Sequence, residues 1–132
     1  MKIDHIGIAV ESLTEGLKFY RDALGLNYQG EEEVKEQGVK VAFLKIGESK
    51  IELLEPLNEE SPIARHLEKR GEGIHHIAVE VEDIEARVKE MKEAGVRFIG
   101  EEPAPGAGNK KIIFIHPAST RGVLAEICQS GD

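Results

Sequence analysis

Cysteine, tryptophan and long hydrophobic runs are scarce or absent in this chain of 132 residues. The single cysteine, Cys128, cannot form a disulfide within the chain, which predicts a protein of the reducing cytoplasm. No apolar run approaches the length of a membrane span, and the first residues read as a strand rather than a secretory signal, so we predict no membrane partner. The net charge of −8 argues against binding to nucleic acid or to an anionic membrane.

The sequence contains one phrase twice. Residues 3–11 read IDHIGIAVE and residues 74–82 read IHHIAVEVE. A shift of 71 positions places identical residues on one another, namely His5 on His76, Ile6 on Ile77, Val10 on Val81, Glu11 on Glu82, Lys18 on Lys89 and Ala23 on Ala94. Repetition at a fixed spacing is typical of a fold that is built from copies of one module.

Each copy predicts the same order of elements. A strand is expected at about 2–10 and again at about 74–82, followed by a helix that ends at Gly25 or Gly95, where glycine favours a left-handed C-terminal cap. Three more strands are expected in each half, at about 26–34, 39–47 and 49–56 and at about 96–101, 110–116 and 122–129. Each half is therefore a βαβββ module, and the predicted fold class is α+β.

The two modules are expected to form a single domain over residues 1–132. Ser61 and Pro62 predict the start of a connector helix, as N-cap and first helical residue. The stretch 101–110 is rich in proline and glycine, and we predict that it is the longest loop and a mobile rim. The predicted bounds are about 1–58 for module 1, 61–71 for the connector helix and 73–130 for module 2.

The alternation of residues along a strand decides where the two matching histidines point. The large aliphatic residues of each first strand belong against the covering helix. His5 and His76 therefore lie on the opposite face, beside small residues that leave room for a ligand, whereas His75 falls on the helix side. If the modules pack about a pseudo-two-fold axis, both imidazoles converge and predict a site for a divalent metal ion.

Anionic oxygens are needed to complete such a metal site. The last strand of module 1, in KIELLEP, offers Glu52 and Glu55, and the alternation of residues does not separate the two. The last strand of module 2, in GVLAEIC, offers only Glu126. A carboxylate within an apolar strand is costly unless it is paired or bound to metal, and the alternative for Glu126 is a solvated position on an edge strand.

Several longer stretches match one family over essentially the full chain. They are DHIGIAV, KFYRDALGL, EQGVKVAF, IELLEPL, SPIARHL, GIHHIAVEVEDI and IFIHPASTRGVLAEI. On these stretches the chain resembles the methylmalonyl-CoA epimerases of the vicinal-oxygen-chelate superfamily. The resemblance implies a curved eight-stranded mixed sheet around a divalent metal, and it implies the ligands His5, Glu52, His76 and Glu126. It thereby selects Glu52 over Glu55, although some members of the family carry glutamine at the position of Glu52.

The reaction implied by the resemblance interconverts (2R)- and (2S)-methylmalonyl-CoA by removing the proton at C2 through a metal-stabilised enolate. Inversion requires a base on each side of the enolate, because one rigid base tends to return the proton to its original face. Glu126 is one candidate, and the resemblance places the other on Glu36. From the residues alone, Glu31, Glu32 and Glu33 are equivalent candidates. A six-coordinate ion suits a site with two open positions, so Co²⁺ is predicted, with Mn²⁺, Ni²⁺ and Zn²⁺ as alternatives.

The partner predicted by the resemblance is a small acyl-CoA substrate. Lys110, Lys111 and Arg121 flank the predicted loop and the last turn, and we predict that they bind the phosphates of CoA. A homodimer is expected because paired modules leave strand edges for a second copy. Two alternatives stay open, namely a glyoxalase-I-like lyase or isomerase and a non-catalytic small-molecule-binding protein of the same fold.

Four other residues of reactive type receive structural interpretations. We expect Cys128 to be a small core residue. His116 precedes a proline at a strand end and is interpreted as a turn anchor. His66 is expected to face solvent on the connector helix, and His75 is expected to pack rather than to ligate.

Overall fold

The computed structural model describes residues 1–131, and Asp132, the last residue of the predicted domain, lies outside the described residues. Within the described part, none of the helices combines the length and the apolar character of a membrane span. The strands are β1 Lys2–Ala9, β2 Asn27–Val34, β3 Val39–Ile46, β4 Ser49–Pro56, β5 Gly73–Glu80, β6 Phe98–Gly106, β7 Lys110–Ile115 and β8 Ala125–Ser130. The α-helices are α1 Leu13–Leu17, α2 Pro62–Arg70 and α3 Ile84–Glu93.

The elements follow one order twice. Strand β1 is followed by α1 and then by β2, β3 and β4, and strand β5 is followed by α3 and then by β6, β7 and β8. The predicted pair of βαβββ modules is confirmed, as is the connector helix, which is α2. The chain divides into one compact unit of residues 5–75 and another of residues 1–4 together with the chain from His76 onward.

In the unit of residues 5–75, the strands lie in the order β2-β3-β4-β1. Strands β1 and β4 are parallel, and the other neighbours are antiparallel. Alternate residues of β1, such as Ile8, turn toward α1 and exclude water from its apolar side, which supplies the main stabilisation. The buried cluster consists of Ile8, Val10, Leu13, Leu17, Ala42, Leu44 and Leu53.

The second unit repeats this arrangement with the order β5-β8-β7-β6. Strands β5 and β8 are parallel, whereas β6, β7 and β8 pair antiparallel. Its helix α3 covers a second buried cluster of Val81, Ile84, Val88, Ile113, Ile115 and Ile127. Each unit therefore has one sheet face covered by its own helix, and the opposite face is the one for which the sequence predicts ligands.

The helix ends follow the sequence signals. Ser12 and Asp83 are the N-caps of α1 and α3, and each side chain accepts a hydrogen bond from the backbone of its first turn. Gly25 and Gly95 have φ values of 86° and 90°, as predicted for left-handed caps. After α1 the chain continues as a short π-helical turn over Lys18–Ala23, a widening that the sequence pattern did not predict.

The prediction of a long loop at 101–110 is wrong. Strand β6 continues to Gly106 and pairs with β7, so that only a short turn with left-handed residues at Gly108 and Asn109 remains. Proline and glycine suggested a break, but β6 is the last strand in its unit's order, where a missing backbone donor is tolerated. A bulge between Ile99 and Ala104 absorbs the irregular stretch.

Candidate metal centre

The first module contains a buried histidine–glutamate pair, called here the module 1 pair. The Nδ1 atom of His5 lies 3.2 Å from Oε2 of Glu52, and both side chains are almost inaccessible to solvent. The pair forms because β1 and β4 are parallel neighbours in which Gly7, two residues after His5, lies opposite Glu52. Gly7 has no side chain that could occupy the space beside the carboxylate.

The second module repeats the construction in the module 2 pair. The Nε2 atom of His76 lies 3.3 Å from Oε2 of Glu126, and both side chains are again buried. Ala78, two residues after His76, lies opposite Glu126 in the parallel pairing of β5 and β8. The Phe114 ring meets the imidazole of His76 edge to face, with ring centres 5.3 Å apart, and limits its rotation.

The chemistry of both pairs suits a divalent metal ion. With metal–ligand bonds of about 2.1 Å, two neighbouring ligand atoms lie about 3.0 Å apart at a right angle and about 3.4 Å apart at a tetrahedral angle. The separations of 3.2 and 3.3 Å fall in this interval. Each pair offers one imidazole nitrogen and one carboxylate oxygen, and burial of a carboxylate is costly unless a cation or donors offset its charge.

The structure separates the two carboxylates that the sequence pattern left equivalent. Oε1 of Glu55 accepts a hydrogen bond of 2.8 Å from the backbone N–H of Leu13, the first residue of α1. The equivalent position in module 2 is Gln129, whose Oε1 accepts one of 2.8 Å from the N–H of Ile84. Three residues after the buried glutamate, each last strand therefore anchors its module's helix, and Glu55 lies on the helix side.

Replacing Glu55 with alanine is expected to lower the free energy of unfolding by about 1–2 kcal/mol, because the first N–H of α1 loses its acceptor and the helix dipole loses a nearby charge. Glu55→Gln should cost no more than about 0.5 kcal/mol, since the amide at Gln129 performs the same function in module 2. Urea denaturation of the metal-free variants measures both values. Glu59→Ala, at an exposed position, is the control, and a loss no larger than in that variant would contradict the anchoring role.

The predicted CoA contacts differ in their surroundings. Lys110 is buried, and its Nζ lies 3.0 Å from Asp4 Oδ1 and 3.2 Å from Ser130 Oγ. Burial lowers the pKa of Lys110, but the hydrogen bond and charge of Asp4 raise it, so that the pKa lies above the ordinary 10.5 and the ammonium stays charged. This engagement indicates a structural role for Lys110 and gives no support to a phosphate contact.

Lys111 and Arg121 remain exposed. The Nζ of Lys111 lies 3.0 Å from Glu85 Oε1 on the helix side. Arg121 has a left-handed φ of 64° in the turn before β8. Glu36 lies exposed in a 3₁₀ turn over Lys35–Gln37 between β2 and β3, and its role stays a prediction.

The residues that received structural interpretations mostly occupy the expected surroundings. Cys128 packs in a small buried cluster, and burial raises the pKa of its thiol strongly, as expected for a core residue. Nδ1 of His116 accepts a hydrogen bond from the N–H of Ala118 and caps a turn, as predicted. His66 is only partly exposed, contrary to the prediction, because its ring packs edge to face on His75 at 5.1 Å. Burial, followed by the charge of His66, lowers the pKa of His75 to about 4.

The roles of Asp4 and of the two helix anchors, Glu55 and Gln129, were not predicted from the sequence. A signal for Asp4 was present, since an acidic residue within a largely apolar strand must be paired if it is buried. The alternation places Glu55 and Glu52 on opposite faces, because they are three residues apart, but it does not tell which of the two faces the helix covers.

Comparison with known proteins extends these observations. A family profile described as the Glyoxalase/Bleomycin resistance protein/Dioxygenase superfamily matches residues 4–114. The ethylmalonyl-CoA/methylmalonyl-CoA epimerase of Cereibacter sphaeroides is 44% identical, and the alignment covers 97% of each protein.

Two solved structures have closely similar folds. A hypothetical protein from Bacillus halodurans C-125 is 58% identical, with a TM-score of 0.96 over 99% of this chain and 95% of the other. A variant of the Streptomyces coelicolor methylmalonyl-CoA epimerase in complex with 2-nitronate-propionyl-CoA is 40% identical, with a TM-score of 0.95 over 100% of this chain and 99% of the other. The chain therefore belongs to the Glyoxalase/Bleomycin resistance protein/Dioxygenase superfamily and, within it, to the family of the methylmalonyl-CoA epimerases.

Proposed function

We propose that this protein interconverts (2R)- and (2S)-methylmalonyl-CoA. The observation that carries the proposal is the buried histidine–glutamate pair, which both modules build in the same way. A relative named as an epimerase of this substrate aligns over nearly the whole chain. A relative that holds 2-nitronate-propionyl-CoA also supports an acyl-CoA substrate, because a nitronate is a planar anion next to a thioester, as the deprotonated substrate would be.

We propose that His5, Glu52, His76 and Glu126 bind one divalent metal ion, with Co²⁺ preferred and Mn²⁺, Ni²⁺ or Zn²⁺ as alternatives. When bound, the ion supplies a Lewis acid for the thioester carbonyl and the substrate carboxylate. The proposal rests on the matching construction of the two pairs and on the family resemblance. Neutral imidazole nitrogens and carboxylate oxygens form a ligand set that these ions accept.

Inversion at C2 requires two groups of the protein, one on each side of the planar anion. We propose that Glu126 removes or returns the proton on one side and Glu36 on the other. Glu36 is exposed in its turn and is therefore accessible to a substrate that enters from solvent. The remaining contacts of the acyl-CoA are proposed at Lys111 and Arg121, whose local positive charge would oppose the net charge of −8.

The proposal also includes the oligomeric state and the cellular compartment. We propose that residues 1–132 form one domain that works as a cytoplasmic homodimer. Single-Cys composition and the strand edges of the paired modules support this part of the proposal.

Deuterium exchange tests the proposed reaction. The protein is stripped of metal with EDTA, reloaded with Co²⁺ and incubated with (2R)- or (2S)-methylmalonyl-CoA in D₂O. We expect deuterium at C2 together with inversion, no reaction without metal, and one bound ion per chain by elemental analysis. Two ions per chain would indicate that each pair binds its own.

The alternatives give different results in the same assay. A glyoxalase-I-like enzyme would leave C2 unlabelled and would convert the hemithioacetal of methylglyoxal and glutathione. A non-catalytic binding protein would leave both substrates unchanged. Either result would contradict the proposed function.

A further inference from the structure

A second group of buried polar side chains connects β1 and β7 with β5 and β8, the strands of the module 2 pair. Lys110 Nζ lies 3.0 Å from Asp4 Oδ1, 3.2 Å from Ser130 Oγ and 3.8 Å from Glu80 Oε1. The Lys110 and Asp4 side chains expose only 6% and 4% of their surface. Ser130 also donates a short hydrogen bond to Glu80, so that the four side chains form one connected network, called here the Lys110 network.

The Lys110 network is the last of three layers on one sheet face. Strand residues of equal parity share a face, so each of β5, β7 and β8 contributes one residue to every layer. The register pairs Phe114 with Glu126, Ile112 with Cys128 and Lys110 with Ser130. The layers are His76, Glu126 and Phe114, then Ala78, Cys128 and Ile112, then Glu80, Ser130 and Lys110.

The Lys110 network holds one ammonium group in a buried position. An unpaired buried charge is strongly unfavourable, so the partners of Lys110 cannot move away from it freely. The network thereby fixes the ends of β5, β7 and β8, and two of these strands carry His76 and Glu126 two layers away. It also holds Asp4, the residue that directly precedes His5 in the chain.

We propose that Lys110 is a positioning residue for the metal ligands, acting through Asp4 on His5 and through the shared strands on His76 and Glu126. This inference rests on the proposed function, because it assumes that these residues bind a metal ion. It replaces the predicted contact of Lys110 with CoA phosphates, since a buried ammonium held by Asp4 is already engaged. Residues that orient metal ligands typically change metal affinity by about 10- to 100-fold when they are removed.

The neighbouring lysine provides a matched control for the experiment. Lys111 carries the same group on the other face of β7, where it is exposed and pairs with Glu85. We expect Lys110→Met to weaken Co²⁺ binding, measured by isothermal titration, by about tenfold or more. We also expect it to alter the visible absorption of bound Co²⁺, which reports on ligand geometry. Lys111→Met should change neither quantity.

A double-mutant cycle tests the path through Asp4. Asp4→Asn should weaken Co²⁺ binding as much as Lys110→Met, and the double variant should lose no more than either single variant, because both changes break one interaction. If Lys110→Met fails to fold, the double variant, which buries no unpaired charge, takes its place. Binding of Co²⁺ by that variant with wild-type affinity would then overturn the inference.

The outcomes separate this inference from the proposed function. If Lys110→Met lowers the free energy of unfolding but leaves the affinity for Co²⁺ and its absorption unchanged, Lys110 has a purely structural role. This result would overturn the inference but not the proposed function. Failure of the wild-type protein to bind Co²⁺ would contradict the proposed metal site, and the positioning role with it.

Discussion

Glu126→Gln is expected to lower the rate constant of epimerisation by about 1000-fold or more. The change removes the group proposed to exchange the C2 proton on one side, and such a loss alone typically costs about 100- to 10,000-fold. It also removes one negative charge from the proposed ligand set. The amide has nearly the same shape as the carboxylate, so the buried space beside His76 stays filled and the fold should persist. Turnover of each epimer by the Co²⁺-loaded variant measures the effect.

Two glutamates supply matched controls for this result. Glu52→Gln alters the equivalent buried position in module 1, where some members of the family carry glutamine, and it should reduce turnover by no more than about tenfold while changing metal affinity. Glu55→Gln leaves a helix anchor in place and should leave turnover nearly unchanged. Equal losses in the Glu126 and Glu55 variants would mean that the site is misplaced.

The duplicated phrase predicts the two modules and the faces on which His5 and His76 lie, because both depend only on patterns among neighbouring residues. Alternation along one strand assigns a face to His5 from its immediate neighbours alone, and the same holds for His76. A strand followed by a helix is likewise specified by consecutive residues, and each helix follows its strand as predicted. Patterns of this kind do not depend on distant residues, so the predictions made from them agree with the structure.

The choice between Glu52 and Glu55 required information that no local pattern contains. The strand KIELLEP has polar and apolar residues on both faces, so its alternation identifies no buried side. What separates the two is the parallel pairing with β1, which lies more than 40 residues earlier, and the hydrogen bond from Leu13. The family resemblance selected Glu52 where the local pattern could not.

The same limit explains why the pairing of Lys110 was missed. Asp4 and Lys110 are 106 positions apart, and no local feature of either residue identifies the other as its partner. The sequence predicts that Lys110 flanks a loop and binds the phosphates of CoA, whereas the residue is buried at the start of β7 and pairs with Asp4. The stretch 101–110 resembles a loop because proline and glycine usually break strands, but an outer strand with a bulge accommodates both.

Glu36→Gln is expected to separate proton exchange from inversion. If Glu126 and Glu36 act on opposite sides of C2, loss of Glu36 leaves only one side with a base. The epimer whose C2 proton faces Glu126 should still take up deuterium from D₂O, whereas the other epimer should not. Inversion should fall by about 100-fold or more, because no group remains to return a proton to the opposite side. Proton NMR of each epimer, started separately, measures exchange, and chiral analysis measures inversion.

The acidic run that contains Glu36 provides the control for this experiment. Glu33→Gln removes an exposed carboxylate of β2 with the same change of charge, so it reproduces any general electrostatic effect on the acyl-CoA. We expect it to invert both epimers at nearly the wild-type rate. Wild-type inversion by Glu36→Gln would move the second base to another residue of the run, and uptake of deuterium by both epimers would show that Glu126 alone serves both sides. Exchange in one epimer requires a base on one side of C2, whereas inversion requires a group on each side. Comparing the rates of exchange and inversion therefore distinguishes one base from two.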